Sequence, residues 1–159
     1  MIKIVTGEIN DRKTTKMLDM FKQDVKGDGF ISIKTMKKDR VHSYHAMQLS
    51  TGRKKLLSMH ADFFKNDFDV GCRVGPYYLN AQTIEWVERK MMELIEQGVE
   101  PLYFDEIGML ELGGAGFDRM LRKMVKSGLD LVLVIRFDLI KKVIKVYDLK
   151  DVEILKANV

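Results

Sequence analysis

The chain opens on Ile-Lys-Ile-Val-Thr at residues 2 to 6, a short run with β-branched positions closed by Gly7, and that pattern predicts a buried strand. From Lys13 to Asp24 the apolar residues Met17, Leu18 and Phe21 fall at helical spacing, so a helix follows a loop. Between Phe30 and His60 the segments FISIKTMKK, RVHSYHAMQL and KKLLSMH are separated by the short breaks KD and STGR, the pattern of antiparallel strands joined by turns. Residues Ala61 to Asn80 (ADFFKNDFDVGCRVGPYYLN) are irregular and aromatic-rich, and read as a loop crossing the face of the domain with a turn at Gly75-Pro76.

Asn80 then caps a helix whose apolar face holds Ile84, Val87, Met91, Leu94 and Ile95 and which Gly98 ends. PLYFD follows as a strand. A helix over Phe117 to Lys126 stops at Gly128, and the apolar strand LDLVLVIR, a short helix near Leu139 to Val146 and a last strand near VEIL complete the chain. Strands alternating with helices through the second half predict an α/β three-layer fold with a largely parallel central sheet and an antiparallel hairpin insertion at about residues 30–60. No repeat or linker interrupts the 159 residues, so a single domain over 1–159 is expected.

Hydrophobic residues make up 46% and charged residues 31% of the chain, which is the balance of a folded globular protein and excludes a disordered one. The formal net charge of +4 would suit an anionic partner. Yet the cations are scattered, the densest runs being Arg53-Lys54-Lys55 and Lys141-Lys142, and they are not interleaved with stacking aromatics, so no nucleic-acid partner is expected. Cys72 is the single cysteine, expected as a buried, inert thiol in a reducing compartment. The first residues meet Glu8 and Asp11 too soon for a signal peptide or a membrane span, and a cytoplasmic location is the expectation.

Chemistry concentrates in two places. The stretch IVTGEINDRKTTK, Ile4 to Lys16, nearly matches the phosphate-cradling pattern G-x-x-x-x-G-K-[ST], with Arg12 where the second glycine belongs. It lies between a predicted strand and a predicted helix, as such a loop requires, and the nucleotide-binding positions are Gly7, Glu8, Ile9, Asn10, Asp11, Arg12, Lys13, Thr14 and Thr15. A lysine in a first helical turn opposes the helix dipole unless an anion binds there. The second place is PLYFDE, Pro101 to Glu106, an apolar strand ending in two acids. Parallel strands deliver their C-terminal ends to one crevice, so Asp105 meets the loop, where a strand-end Asp helps hold Mg²⁺ and a neighbouring carboxylate acts on the attacking water.

With these residues in place the chain resembles the small nucleoside-triphosphatases of thermophiles and their relatives, a branch of the P-loop NTPases related to nucleotide kinases. The resemblance runs along nearly the whole chain: IVTGEIN with KTT, Gly29-Phe30 ahead of the hairpins, RVGPYYLN at Arg73 to Asn80, FDEIGMLEL at Phe104 to Leu112, and VIR at Val134 to Arg136. It implies a P-loop NTPase fold with a mixed sheet, Mg²⁺ as cofactor, and a nucleoside triphosphate such as ATP or GTP as ligand. By matching position, Lys13 would bind the β- and γ-phosphates, Thr14 and Asp105 would hold Mg²⁺, Glu106 would act on the water, and Arg136 would face the phosphates.

The family pattern has glycine at the position of Arg12 and a small residue at that of Asp11. Glycine lets the backbone approach phosphates in conformations that a Cβ makes costly, by about 1–3 kcal/mol. Weakened binding with slow hydrolysis is therefore expected. A non-catalytic binding or interaction module is the alternative, and a nucleotide kinase with lid arginines such as Arg53 and Arg73 is a third reading. His42, His45 and His60 lack zinc-ligand spacing. The GGAG at Gly113 to Gly116 lacks the spacing of a dinucleotide fingerprint, and Tyr77-Tyr78 offers either base stacking or core packing.

Overall fold

The computed structural model describes residues 1–7, 12–24, 26–107 and 113–157, with Glu106 and Ile107 placed through their backbone. In chain order the elements are β1 (Ile2–Thr6), α1 (Lys13–Gln23), β2 (Asp28–Lys37), β3 (Arg40–Gln48), β4 (Lys54–His60), β5 (Val70–Val74), β6 (Tyr77–Asn80), α2 (Ala81–Glu96), β7 (Leu102–Ile107), α3 (Asp118–Lys126), β8 (Leu131–Ile135), α4 (Ile140–Tyr147) and β9 (Val152–Lys156). Short 3-10 turns occupy Ala61–Phe63 and Phe137–Leu139. No helix among the described residues is long and apolar enough to cross a membrane.

All strands among the described residues join one nine-stranded mixed sheet in the order β5-β6-β4-β3-β2-β7-β8-β1-β9. The run β2-β7-β8-β1-β9 is parallel throughout, and β3, β4, β6 and β5 continue it antiparallel. β8 reads Leu-Val-Leu-Val-Ile with every residue buried, because helices cover both faces of this strand. Leu131, Leu133 and Ile135 face α2, α3 and α4 through a cluster that includes Trp86, Met91, Met120, Leu121 and Val143. Val132 and Val134 face the other way, packing with Val5, Ile31 and Tyr103 around Met17 of α1.

The helices divide between the faces for a topological reason. The chain leaves β1 toward β2 in one direction across the sheet, and passes from β7 to β8 and from β8 to β9 in the opposite direction. Right-handed crossovers of opposite sense place their helices on opposite faces, so a crevice opens at the C-terminal ends of β1 and β8. Asn80 caps α2 as its sequence indicates, its Oδ1 accepting from Gln82 N at 3.1 Å.

One expectation needs correction. Ala61 to Asn80 is not a loop throughout: after the 3-10 turn, β6 pairs with β4 (Ser58 with Leu79, His60 with Tyr77) and β5 adds outside it. These strands satisfy the backbone groups on the outer edge of β4, which would otherwise be open. The antiparallel part thus reaches Asn80 instead of closing near residue 60. Cys72 lies on edge strand β5 and is half-buried, not in the core.

The joint between the two parts of the sheet is tight. Gly29 has φ +156°, and a Cβ built on it would lie 2.0 Å from the carbonyl oxygen of Tyr103 on β7. Beside it the buried Asp28 carboxylate accepts from Gly29 N (2.8 Å), Gln48 Nε2 (2.8 Å), Ser50 N (2.9 Å) and Ser50 Oγ (2.6 Å), latching the β3–β4 turn to the start of β2. By contrast Gly52 has φ +72° but open space where a Cβ would go. Gly29→Ala should therefore cost about 2–4 kcal/mol of unfolding free energy, and Gly52→Ala only about 1 kcal/mol. Denaturant unfolding of both variants checks the ranking, and equal costs would show that β7 yields freely to β2.

Candidate functional site

The C-terminal end of β1 delivers Gly7 to the crevice, and Gly7 O accepts from Phe137 N at 3.1 Å, so the segment after β8 holds the start of the loop. Glu8, Ile9, Asn10 and Asp11 lie outside the described residues. The chain resumes at Arg12, which precedes α1 with φ −77° and ψ 53° and makes no side-chain cap to the helix. A negative φ is open to any residue, so the backbone strain expected from replacing glycine does not arise at Arg12. An effect of this residue on ligand binding must come from its exposed side chain.

The first turn of α1 is Lys-Thr-Thr-Lys, with no acid in it. Its leading amides have no intrahelical acceptors, and the helix dipole adds partial positive charge to that of Lys13 and Lys16. Lys13 is 8% exposed, so it is no surface lysine. Like charges gathered at a helix start raise the energy of the free protein, and an anion at that spot lowers it.

Asp105 arrives from β7, and its carboxylate is buried at 4% exposure. Its Oδ2 accepts from Thr14 Oγ1 at 2.7 Å and from the backbone N of Ser32 on β2 at 3.0 Å. The two sequence motifs therefore meet through a direct hydrogen bond. The pairing of β7 with β8 passes from Phe104 opposite Leu133 to Ile107 opposite Ile135, which places one extra residue on β7 between those points. A bulge of this kind re-aims side chains, and here it falls on Asp105 and Glu106. The Glu106 side chain lies outside the description. A hydroxyl beside a carboxylate is a hard-oxygen donor pair that suits Mg²⁺, which takes few protein ligands and keeps several waters, so Thr14 and Asp105 fit that ion.

Arg136 stands immediately after β8, one residue before the contact with Gly7. Its guanidinium forms a two-pronged pair with Asp138, Nε to Oδ1 at 2.6 Å and Nη2 to Oδ2 at 3.0 Å. That hydrogen-bonded pair holds the exposed Asp138 carboxyl below the usual carboxylate range. The arginines considered for a kinase lid are not brought together: Arg53 sits in the turn at the Asp28 end of β2, and Arg73 lies over the Tyr78 ring on the outer strands. Tyr77 packs against Tyr44 and His60, and Tyr78 against Phe64, so both rings serve the antiparallel strands.

The histidines have local partners. His42 Nδ1 meets Ser43 Oγ at 3.0 Å, and His60 Nδ1 accepts from Asp62 N at 3.1 Å. Burial pushes His45 below its ordinary value, with Lys54 and His42 adding to the effect. GGAG falls in the turns before α3, where Gly114 and Gly116 take φ of +86° and +58°. The sequence reading missed the Ser32 amide, because a backbone donor leaves no signature in residue identity.

Comparison with known proteins locates the same architecture elsewhere. A family model described as NTPase matches residues 3–158. Nucleoside-triphosphatase THEP1 of Thermotoga sp. (strain RQ2) is 30% identical over 94 residues, which are 59% of this chain and 54% of that protein, so the match spans about half the length of the curated relative. The crystal structure of THEP1 from the hyperthermophile Aquifex aeolicus superposes with a TM-score of 0.69 at 21% identity, covering 99% of this chain and 90% of that one. The solution structure of a human cancer-related nucleoside triphosphatase gives a TM-score of 0.62 at 20% identity, covering 96% of this chain and 86% of its own. At such identities the two structures establish the fold.

The Thr14–Asp105 bond can be tested without any ligand. Thr14→Val removes the donor and leaves a buried carboxylate short of a hydrogen bond, which should cost about 1–3 kcal/mol in denaturant unfolding, whereas Thr14→Ser should stay within about 0.5 kcal/mol. Equal stability of the Val and Ser variants would mean that the bond contributes nothing to joining α1 and β7.

Proposed function

The chain belongs to the NTPase family, and on that premise we propose that it binds a nucleoside triphosphate such as ATP or GTP with Mg²⁺ and hydrolyses it slowly to the diphosphate and phosphate. The observation that carries this reading is the 2.7 Å bond from Thr14 to the buried Asp105 beside an acid-free helix start. Lys13 and the α1 amides bind the β- and γ-phosphates, whose charge offsets that of the helix N-terminus. Thr14 and Asp105 hold Mg²⁺, which supplies neutralisation of charge developing on the phosphate oxygens. Glu106 orients the attacking water and takes its proton. Arg136 exchanges its Asp138 partner for a phosphate oxygen. The names of the relatives support the same substrate class.

Arg12 sets the rate in this proposal. Its side chain stands at the helix start, where the phosphates must come close, and its bulk keeps them at a distance. Arg12→Gly should accordingly tighten nucleotide binding and raise Mg²⁺-dependent phosphate release. Lys13→Ala should weaken binding by at least about tenfold. Glu106→Gln in the Arg12→Gly background should lower kcat by about 10²–10⁴-fold while leaving affinity within about twofold. At nucleotide about ten times its Kd, the wild-type protein should gain about 1.4 kcal/mol of stability. Weaker binding by Arg12→Gly would make Arg12 a phosphate ligand. No response to nucleotide in the wild type, with none in the Arg12→Gly and Lys13→Ala variants, would leave a non-catalytic module, and phosphate transferred to a monophosphate would make the protein a kinase.

A further inference from the structure

The net charge of the chain is not spread evenly. Residues 28–80, the strands β2 to β6, carry nine lysines and arginines against five aspartates, leaving eighteen basic and eighteen acidic residues elsewhere. The positive charge of the molecule therefore belongs to the antiparallel extension. Lys34, Lys37, Lys38 and Arg40 are all exposed at the end of β2 and the start of β3, beyond Ser32 and hence beyond the level of Asp105.

The fold brings aromatic rings to these cations from a different part of the chain. Tyr44 meets Tyr77 with ring centroids 5.6 Å apart, Tyr77 meets His60 at 5.4 Å, His60 meets Phe63 at 6.1 Å, and Phe63 meets His42 at 4.9 Å. The Lys37 ammonium and the Arg40 guanidinium each lie 5.2 Å from the centre of the Phe63 ring. All five rings are half-buried, and they lie outside both core clusters, since α2 starts only at Ala81 and spends its apolar face on Phe30 and Ala46. The sequence shows no interleaving of cations and aromatics because Phe63 and Tyr77 come from the segment after β4. In space they are interleaved.

We propose that this end of the extension, centred on Lys37, Arg40 and Phe63, binds single-stranded nucleic acid. Half-exposed rings and a guanidinium plane stack on bases whatever their identity, and the surrounding lysines neutralise the phosphates. An acidic peptide would use the charge but not the rings, and a duplex keeps its bases stacked on one another. Two acids lie within the patch: Asp39 is exposed in the turn between Lys38 and Arg40, and Asp62 pairs with Arg40 and approaches His60 Nδ1 at 3.8 Å, taking a position among cations that suits a phosphate. The surface shares no side chain with the Lys13, Thr14 and Asp105 site, so the proposal stands apart from nucleotide hydrolysis.

The test is fluorescence anisotropy with labelled oligothymidylate and oligouridylate of about 20 nucleotides, long enough for one binding site. Micromolar binding that weakens with salt is expected. Phe63→Leu keeps an apolar side chain but removes the stacking surface, and should weaken binding by at least about fivefold with an unchanged salt slope. Lys37→Ala with Arg40→Ala should flatten the slope of log K against log salt by about 1.4, or about 0.7 for each phosphate left without its cation. Asp62→Asn should tighten binding, a gain that damage to the fold would not produce. Absence of binding in the micromolar range overturns the proposal. So does an unaltered affinity in Phe63→Leu, which would reduce the patch to charge alone, or polyglutamate binding more tightly than either oligonucleotide, which would indicate an acidic protein partner.

Discussion

Asp105 Oδ2 accepts one hydrogen bond from the Thr14 hydroxyl and another from the Ser32 amide, and through it three elements far apart in the chain share one atom. A buried carboxylate without donors would cost several kcal/mol, so the helix start, β2 and β7 can be assembled in one arrangement only. That arrangement fixes the remainder. β2 must lie beside β7, which requires Gly29 at the closest approach, and α1 must cross the face where Met17 fills the space between Val5, Ile31 and Val134. The crevice at the ends of β1 and β8 is what these contacts leave open.

The helix start adds an electrostatic constraint. Arg12 precedes α1 and Lys13 and Lys16 fall in its first turn, at a dipole end that is already positive, and α1 itself has no acid in that turn. Asp or Glu is the stabilising choice there. A helix that lacks this stabilisation of its own takes the buried Asp105 carboxylate against Thr14 of its first turn, and the packing of Met17 and its neighbours anchors it below.

Much of this was legible in the sequence, for physical reasons that differ by element. The apolar run of β8, the Asn80 cap and the helical spacing of α2 are local signals, set by which faces must be buried and which amides need an acceptor. The meeting of Thr14 with Asp105 followed from topology, because parallel strands end on one side of the sheet. The bulge at Asp105 and Glu106 depends on the partner strand and leaves no trace in β7 itself. β6 is a short strand whose pairing comes from β4, and β5 is the edge strand added on β6, so their own residues read as a loop. The sequence does show a glycine pair at Gly27 and Gly29, but only the approach of Pro101 and Tyr103 explains it. For Arg12 the residue type suggested strain that its φ does not bear out.

β2 belongs at once to the crevice and to the extension, and this has a mechanical consequence. Ser32 sits midway along its ten residues, with its amide on Asp105, while the outer half of the strand carries Lys34 and Lys37. A paired strand is stiff along its axis where its ladder is continuous, and β2 pairs in unbroken register with β3 from Phe30 to Thr35, after which an extra residue on β3 shifts the register ahead of Met36 and Lys37. The regular part of the arm therefore ends at Thr35, and the bulge stands as a joint between the tip that carries Lys37 and the stretch whose Ser32 amide holds Asp105.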